Sequence, residues 1–140
     1  MAEKPVFLDT NIFLRFLTRD DPHQAATCRR LFERAEAGQL RLTTSHLALA
    51  EIVWTLESHY RLSRDEIVGT LRDLLAMKSF KIERKGMLRD AVALYASTNV
   101  DFVDAYHAAH LRNRKIPTIC SFDRDFESLS IKRIEPDAVE

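Results

Sequence analysis

Short apolar segments with the period of a β-strand alternate with longer segments of helical period along the whole chain. Strands that alternate with helices are typical of parallel sheets whose faces are covered by helices. The pattern therefore predicts an α/β sandwich around a mainly parallel sheet. The predicted strands are 5–8, 40–44, 80–83, 117–122 and 131–134, with the first and fourth buried and the fifth at an edge.

Residue types that cap helices mark the ends of the helical segments. Ser45 is a typical N-cap, and Ser63 with Glu66 forms a capping box. Gly38 is a typical C-terminal stop. The predicted helices begin after Asp9, cover 23–37, 46–59 and 63–77, and begin again near Gly86 and at Asp101.

Length and composition limit the class of protein. The 140 residues are 46% hydrophobic, which is enough for one core and too little for two ordinary domains, so a single domain over 1–140 is expected. The 21 basic and 21 acidic side chains cancel, so any nucleic-acid contact must come from a local patch.

No apolar run approaches the roughly 20 residues that span a bilayer, and the N-terminal segment lacks a secretory pattern. We therefore expect a cytoplasmic protein with no membrane contact. Cys28 and Cys120 lie far apart with no CxxC spacing, so both are expected to be reduced.

Acidic residues lie where predicted strands end, which is the edge at which parallel α/β sheets bind ligands. Asp9 ends the first strand and Asp123 ends the fourth, whereas Glu51 lies in the helix after the second. Asp101 and Asp104 open the helix before the fourth strand and share a helix face.

Each acid also has a structural explanation. Asp9, Asp101 and Asp123 could each be an N-cap that stabilises a helix by about 1 kcal/mol. Glu51 is the only charged residue between His46 and Leu56, and an ion pair with an arginine would explain it.

Carboxylates that converge in one pocket need a counter-charge, because two of them about 4 Å apart repel by roughly 4 kcal/mol at an effective dielectric constant near 20. Oxygen ligands without a Cys or His cluster favour Mg²⁺ or Mn²⁺ over Zn²⁺. Such an ion activates water for attack on a phosphodiester. His107, one turn after Asp104, could add a metal or substrate contact or be a surface residue.

Four motifs, in this order and separation, resemble those of PIN-domain nucleases, and the length and the segment 15–22 are most similar to the VapC toxins. The motifs are Asp9-Thr10-Asn11-Ile12-Phe13-Leu14-Arg15, Glu51 three residues before Trp54, Asp101-Phe102-Val103-Asp104-Ala105 and Ser121-Phe122-Asp123-Arg124-Asp125-Phe126. The resemblance implies a PIN-like three-layer sandwich with a mainly parallel central sheet of about five strands flanked by helices.

The resemblance also implies a Mg²⁺-dependent endoribonuclease, with Mn²⁺ as a substitute. The four acids Asp9, Glu51, Asp104 and Asp123 would be catalytic, and Asp9, Asp104 and Asp123 would bind the metal. The supporting residues would be Thr10 and Asn11 beside the first acid, Asp101 either as an auxiliary ligand or as a residue that contacts the ligands, and Ser121 ahead of the fourth acid. Asp125 is expected to be a helix N-terminal residue stabilised by the helix dipole.

For partners, the resemblance implies RNA as substrate, a small antitoxin of VapB type, and a homodimer that forms a heterotetramer or larger assembly with the antitoxin. The basic residues that could contact RNA are Arg15, Arg19, Lys78, Arg112, Arg114 and Lys115. A PIN nuclease of RNA maturation without an antitoxin, or an inactive PIN-like scaffold, are the alternatives. A phospho-receiver would need a lysine that the segment 121–125 lacks.

Overall fold

The structure, a computed structural model, describes residues 4–140. The described residues divide into an N-terminal unit that ends at Lys85 and a C-terminal unit, Gly86–Glu140. In the N-terminal unit, strand β1 (Val6–Phe7) pairs in parallel with β2 (Leu42–Thr43), with Val6 opposite Leu42 and Phe7 opposite Thr43. The predicted parallel strand direction is confirmed for this pair, although both strands are shorter than predicted.

The predicted strand at 80–83 is wrong in extent. Phe80 forms an isolated parallel bridge with Leu42, and the chain then turns at Arg84, whose φ is 53°. The Lys85 Nζ donates hydrogen bonds to the carbonyls of Met77 (2.9 Å) and Phe80 (2.7 Å). This turn and its lysine bonds lead the chain into the next helix before a longer strand can form.

Residues 4–76 of the N-terminal unit contain four α-helices: α1 (Thr10–Leu17), α2 (Pro22–Glu36), α3 (His46–Ser58) and α4 (Arg64–Ala76). The predicted caps are confirmed, because the Ser45 hydroxyl accepts a hydrogen bond from the Ala48 N–H (3.0 Å) and the Ser63 hydroxyl accepts one from the Glu66 N–H (3.2 Å). Gly38, with a φ of 78°, lies just after α2 in the left-handed conformation that glycine adopts without strain.

Aromatic packing forms the centre of this unit. The fully buried Phe13 of α1 packs against Phe32 of α2 and against Phe80, with ring centroids 5.8 Å and 6.0 Å apart. The buried face of α3, with Leu49, Ile52, Val53 and Leu56, adds to this core. α1 also packs against α3, so the core fixes the N-terminal end of α1, where Asp9 lies.

The prediction that residues 5–8 form a buried strand is wrong for most of the segment. Val6 and Phe7 are 52% and 59% exposed, and Leu8 alone is buried. Within residues 4–85, β1 pairs only with β2, so it is an edge strand of its unit and its side chains are covered by few neighbours.

In the C-terminal unit, helices α5 (Lys85–Ser97) and α6 (Phe102–Asn113) precede the strand β3 (Thr118–Cys120), a 3-10 helix (Arg124–Leu129), β4 (Lys132–Ile134) and a short 3-10 helix (Pro136–Ala138). β3 and β4 pair in parallel from Thr118 opposite Lys132 to Cys120 opposite Ile134. The fifth predicted strand is therefore confirmed as a strand.

The predicted buried strand at 117–122 is shorter and more exposed than expected. It covers Thr118–Cys120, Ile119 is half-buried and Cys120 is exposed. Phe122 is 74% exposed because it lies after the strand ends, in the turn that leads to the 3-10 helix. Both cysteines are free thiols, as expected.

The α/β class and the parallel strand direction are thus confirmed. Across residues 4–140 the strands form two parallel pairs, and a central sheet of about five strands stays a prediction. None of the helices in the described part of the chain is both long and apolar enough to span a membrane.

Candidate metal centre

Three carboxylates converge in the C-terminal unit. One oxygen each from Asp104, Asp123 and Asp125 lies within 4.8 Å of the others, and among residues 4–140 this is the group of three side chains whose geometry could hold a metal ion. Asp104 is half-buried, whereas Asp123 and Asp125 are exposed. Hard divalent cations such as Mg²⁺ bind carboxylate oxygens, so the donor set fits Mg²⁺ or Mn²⁺.

Local hydrogen bonds fix the loop that carries two of these acids. The Ser121 hydroxyl, one residue after β3, accepts a hydrogen bond from the Asp123 N–H (3.0 Å). Asp123 Oδ1 in turn accepts one from the Asp125 N–H (2.9 Å), which makes Asp123 the N-cap of the 3-10 helix. The capping explanation of Asp123 is therefore correct, but the bond uses one of the two carboxylate oxygens.

The helix that carries Asp104 packs against the 3-10 helix. The Arg112 guanidinium of α6 donates a hydrogen bond to the carbonyl of Leu129, at the end of the 3-10 helix. Arg133 of β4 donates to the carbonyl of Ser121 (2.8 Å). These two arginines fix α6 and the Ser121 loop. The hydrogen bonds and the helix packing therefore keep the three carboxylates close together although their charges repel.

Electrostatics in the cluster favours a bound cation. Burial raises the pKa of Asp104, and the negative charges of Asp123, Asp101 and Asp125 raise it further, in that order, while His107 lowers it. Like charges raise the pKa of a carboxyl because they disfavour its ionised form. A divalent cation at this point would remove the repulsion and keep Asp104 ionised.

Asp101 is the N-cap residue of α6 by its backbone position, yet its side chain makes no capping hydrogen bond. The capping explanation is thus wrong for its carboxylate. The exposed side chain instead acts on Asp104 through its charge. Asp101 lies outside the group of three.

Asp125 is the member of the group that the sequence did not assign as a ligand. Its expected place in the first turn of a helix is confirmed. Its two-residue spacing from Asp123 was the available signal, because an aspartate in a turn often accepts a hydrogen bond from the N–H two residues later, as Asp123 does here from Asp125. His107, the other open candidate, is exposed one turn after Asp104.

Two of the predicted acids lie in the N-terminal unit. Asp9 is the N-cap of α1, and its Oδ1 accepts a hydrogen bond from the Thr10 N–H (2.8 Å). The preceding carbonyl, of Leu8, accepts a hydrogen bond from the buried hydroxyl of Thr44 (2.8 Å). Thr10 is buried and Asn11 is exposed in the first turn of α1, so the end of β1 is fixed while the Asp9 carboxylate remains exposed.

Glu51 lies on the exposed side of α3, next to the buried Ile52. Within residues 4–85 its carboxylate has no ion pair, so the arginine explanation for this residue is wrong there. The same side of α3 carries the exposed Leu47 and Trp54, the latter 67% exposed. α3 thus presents a carboxylate between two apolar side chains.

Comparison with known proteins agrees with this architecture. The family model of the PIN domain matches residues 6–132. The chain is 27% identical to a VapC ribonuclease of Aquifex aeolicus over 129 residues, which are 92% of this chain and 95% of that protein. It is 30% identical over 135 residues to Ribonuclease VapC13 of Mycobacterium tuberculosis and to a VapC ribonuclease of Mycobacterium bovis, matches that cover 92% of this chain and 98% of each relative.

No solved structure matches the chain. The extent of the family match and of the relatives shows that the chain belongs to the PIN-domain family. The three relatives named above are VapC ribonucleases, and the resemblance inferred from the motifs is confirmed.

Proposed function

We propose that this protein is a Mg²⁺-dependent endoribonuclease that hydrolyses RNA phosphodiester bonds and is the toxin of a type II toxin–antitoxin system. The observation that carries the proposal is the convergence of Asp104, Asp123 and Asp125 in a chain whose relatives over most of its length are VapC ribonucleases.

We propose Asp9, Glu51, Asp104 and Asp123 as the catalytic acids. The support for Asp104 and Asp123 is the shared cluster and the like-charge effect on the pKa of Asp104. For Asp9 and Glu51 it is the sequence motif together with local geometry, since both carboxylates are exposed, one at the N-cap of α1 and the other on α3. Thr10, Asn11, Asp101 and Ser121 are proposed as supporting residues.

Asp9, Asp104 and Asp123 would hold the metal, with Asp125 as a further ligand that the cluster suggests. Mg²⁺, or Mn²⁺ as a substitute, would supply charge neutralisation on the phosphodiester and acidify a water molecule. The packing of α6 against the 3-10 helix positions Asp104. The hydrogen bond from the Asp123 N–H to the Ser121 hydroxyl positions Asp123. Asp101, which lies outside that group, would accept a proton or a hydrogen bond from the attacking water.

The chain is proposed to be a single PIN domain over 1–140 with a mainly parallel central sheet of about five strands. The support is the family match over 6–132 and the parallel direction of both strand pairs.

We propose a small antitoxin of VapB type as partner, and a cytoplasmic homodimer that assembles with it into a heterotetramer or larger complex. The support for a protein partner is the exposed apolar surface of α3, where Leu47 and Trp54 are 82% and 67% exposed. Apolar side chains of this size at one helix face are frequent in interfaces.

Cleavage of end-labelled RNA in Mg²⁺ and in EDTA tests the function. Wild type should cut only in the metal, and Asp104→Asn should not cut. Asp90→Asn is the matched control, because Asp90 is an exposed acid of α5 outside the cluster, and it should cut as wild type does. Equal cleavage in EDTA, or by Asp104→Asn in Mg²⁺, would contradict the proposal.

A further inference from the structure

A polar cavity of about 520 Å³ lies between α1 and α2 in the N-terminal unit. Its volume is within the range of about 300–1,000 Å³ that is typical of small-molecule sites. Five of the lining side chains carry hydrogen-bonding groups, and none is a carboxylate: Asn11, Arg15, His23, Gln24 and Thr27. The lining therefore favours an anionic ligand.

Arg15 is the fixed cation of this cavity. Its Nε donates a hydrogen bond to Gln24 Oε1 (2.8 Å), which orients the guanidinium. Within residues 4–85 the half-buried guanidinium has no carboxylate partner that would neutralise its charge. An oriented guanidinium with its two Nη groups unused matches the oxygens of a phosphate in a bidentate manner.

The surrounding groups extend this anion site. Burial raises the pKa of the Cys28 thiol on the cavity wall, and the charge of Arg15 opposes that change, so the positive charge reaches the cavity interior. His23 is an exposed donor at the N-terminal end of α2, where the helix dipole also favours an anion. Asn11 adds an amide that can both donate and accept hydrogen bonds, as base edges require.

The cavity begins two residues after Asp9 on the same helix. Arg15 lies six residues after Asp9, or about 9 Å along α1 at 1.5 Å per residue. A nucleotide next to the scissile phosphate would lie at that distance from Asp9, so one cavity can bind a neighbouring phosphate on Arg15 and present the Asn11 amide to the base.

We propose that this cavity is a substrate subsite that binds one RNA nucleotide adjacent to the cleaved bond, with its phosphate on Arg15 and its base against Asn11. The subsite rests on the proposed ribonuclease function, which it extends to residues outside the acidic motifs. Arg15 is in the last turn of α1, where any cation would stabilise the helix, but that role needs neither the planar guanidinium nor the Gln24 bond.

The test is fluorescence anisotropy of a short labelled RNA with the full chain in EDTA, where no cleavage occurs. Arg15→Gln should weaken binding about tenfold, and Arg15→Lys should weaken it by less, because lysine keeps the charge and loses the bidentate geometry. Arg29→Gln is the matched control: Arg29 is an exposed arginine of α2 that does not line the cavity, and its loss should leave the affinity close to wild type. The slope of log affinity against log salt should fall by about 0.7 for Arg15→Gln, as expected for one lost contact to a single strand.

A melting curve of each variant checks the fold. If Arg15→Gln melts well below wild type, His23→Ala takes its place, because His23 is exposed and alanine removes its hydrogen-bonding group from the cavity. Equal affinities of wild type and both cavity variants would overturn the proposal, as would a labelled oligoglutamate that binds with the same dependence on Arg15 and excludes RNA.

Cleavage in Mg²⁺, measured on the same proteins, separates this subsite from the proposed function. If wild type cleaves RNA but Arg15→Gln binds RNA as tightly as wild type does, the subsite proposal is overturned and the nuclease proposal stands. Binding that depends on Arg15 in a protein that never cleaves would support the subsite and contradict the nuclease. A wild type that neither binds nor cleaves RNA overturns both.

Discussion

Replacement of Asp104 by Asn is expected to stabilise the metal-free protein and to destabilise it, relative to wild type, when Mg²⁺ is present. Asn keeps the shape of the side chain and removes its charge. In EDTA the change removes the repulsion of Asp104 by Asp123 and Asp125, whose oxygens lie within 4.8 Å. In Mg²⁺ it removes a proposed metal ligand.

The distance gives the magnitude. Two unit charges separated by 4.8 Å repel by about 1 kcal/mol at the dielectric constant of water and by about 3–4 kcal/mol at an effective value of 20. Asp123 and Asp125 are exposed, so the lower figure applies to each pair. Asp104 is in the first turn of α6, where its negative charge interacts favourably with the helix dipole. Loss of this interaction in the Asn variant reduces the gain in stability by roughly 0.5 kcal/mol.

The expected gain in the free energy of unfolding is therefore about 1 kcal/mol, which corresponds to a rise in Tm of about 3–5 °C for a chain of 140 residues. Saturating Mg²⁺ at a hundredfold excess over its Kd should stabilise wild type by about 2.7 kcal/mol and leave the variant unchanged. The two melting curves should thus exchange their order between EDTA and Mg²⁺, whereas Asp90→Asn should follow wild type in both buffers.

The difference in EDTA should also depend on pH. Burial and the neighbouring acids raise the pKa of Asp104 above its value in the unfolded chain. A carboxyl whose pKa is raised by folding destabilises the folded protein when it is ionised. The free energy of unfolding of wild type is therefore highest below the pKa of Asp104 in the unfolded chain, and it falls as the pH rises through the pKa of Asp104 in the folded protein. Melting temperatures of wild type and Asp104→Asn should therefore converge near pH 4 or below and separate toward pH 7.

Two results would refute this reasoning. A variant that melts several degrees below wild type in EDTA would show that Asp104 has a structural role that its charge repulsion does not outweigh. An unchanged Mg²⁺-induced shift would show that Asp104 is not a ligand and would direct attention to Asp101, one helical turn earlier on α6.

Three further substitutions separate catalytic from structural roles. Asp9→Asn should abolish RNA cleavage with no loss of Tm in EDTA, because Asn can still accept the hydrogen bond from the Thr10 N–H; near-normal cleavage would remove Asp9 from the site. Asp125→Asn should reduce the Mg²⁺-induced rise in Tm, and a full rise would exclude it as a ligand. Ser45→Ala should lower the free energy of unfolding in urea by about 1 kcal/mol through loss of a cap, with the Mg²⁺ shift intact; no loss in urea would contradict the capping role.

The helices were predictable because their ends are local. The hydroxyls of Ser45 and Ser63 each accept a hydrogen bond from a backbone N–H three residues later. These caps start α3 and α4 within one residue of the positions predicted from the sequence. Gly38 ends α2 for a reason contained in its own backbone, namely a positive φ. These features depend on residues within a few positions of each other, so sequence spacing is enough to find them.

The strands were less predictable because burial is not local. The apolar segment at 5–8 gives a strand of two residues whose Val6 and Phe7 are exposed, since a strand side chain is covered only when another layer packs on it. At 80–83 the period of two was present, yet the positive φ at Arg84 and the bonds of Lys85 to two carbonyls leave a single bridge. Periodicity reports which residues could face a core, and neighbouring elements decide whether they do.

In the candidate site, too, local features could be predicted from the sequence and non-local contacts could not. Residue types and motif order were enough to select Asp104 and Asp123, because carboxylates at strand and helix ends are recognisable one at a time. Asp125 joins them because Asp123 Oδ1 accepts a hydrogen bond from its N–H and tightens the loop, while the packing of α6 on the 3-10 helix supplies Asp104 to the same point. Which carboxylates converge therefore follows from a backbone hydrogen bond and a helix contact. The capping bond of Asp123 uses one of its two carboxylate oxygens, so the cap does not conflict with the proposed ligand role.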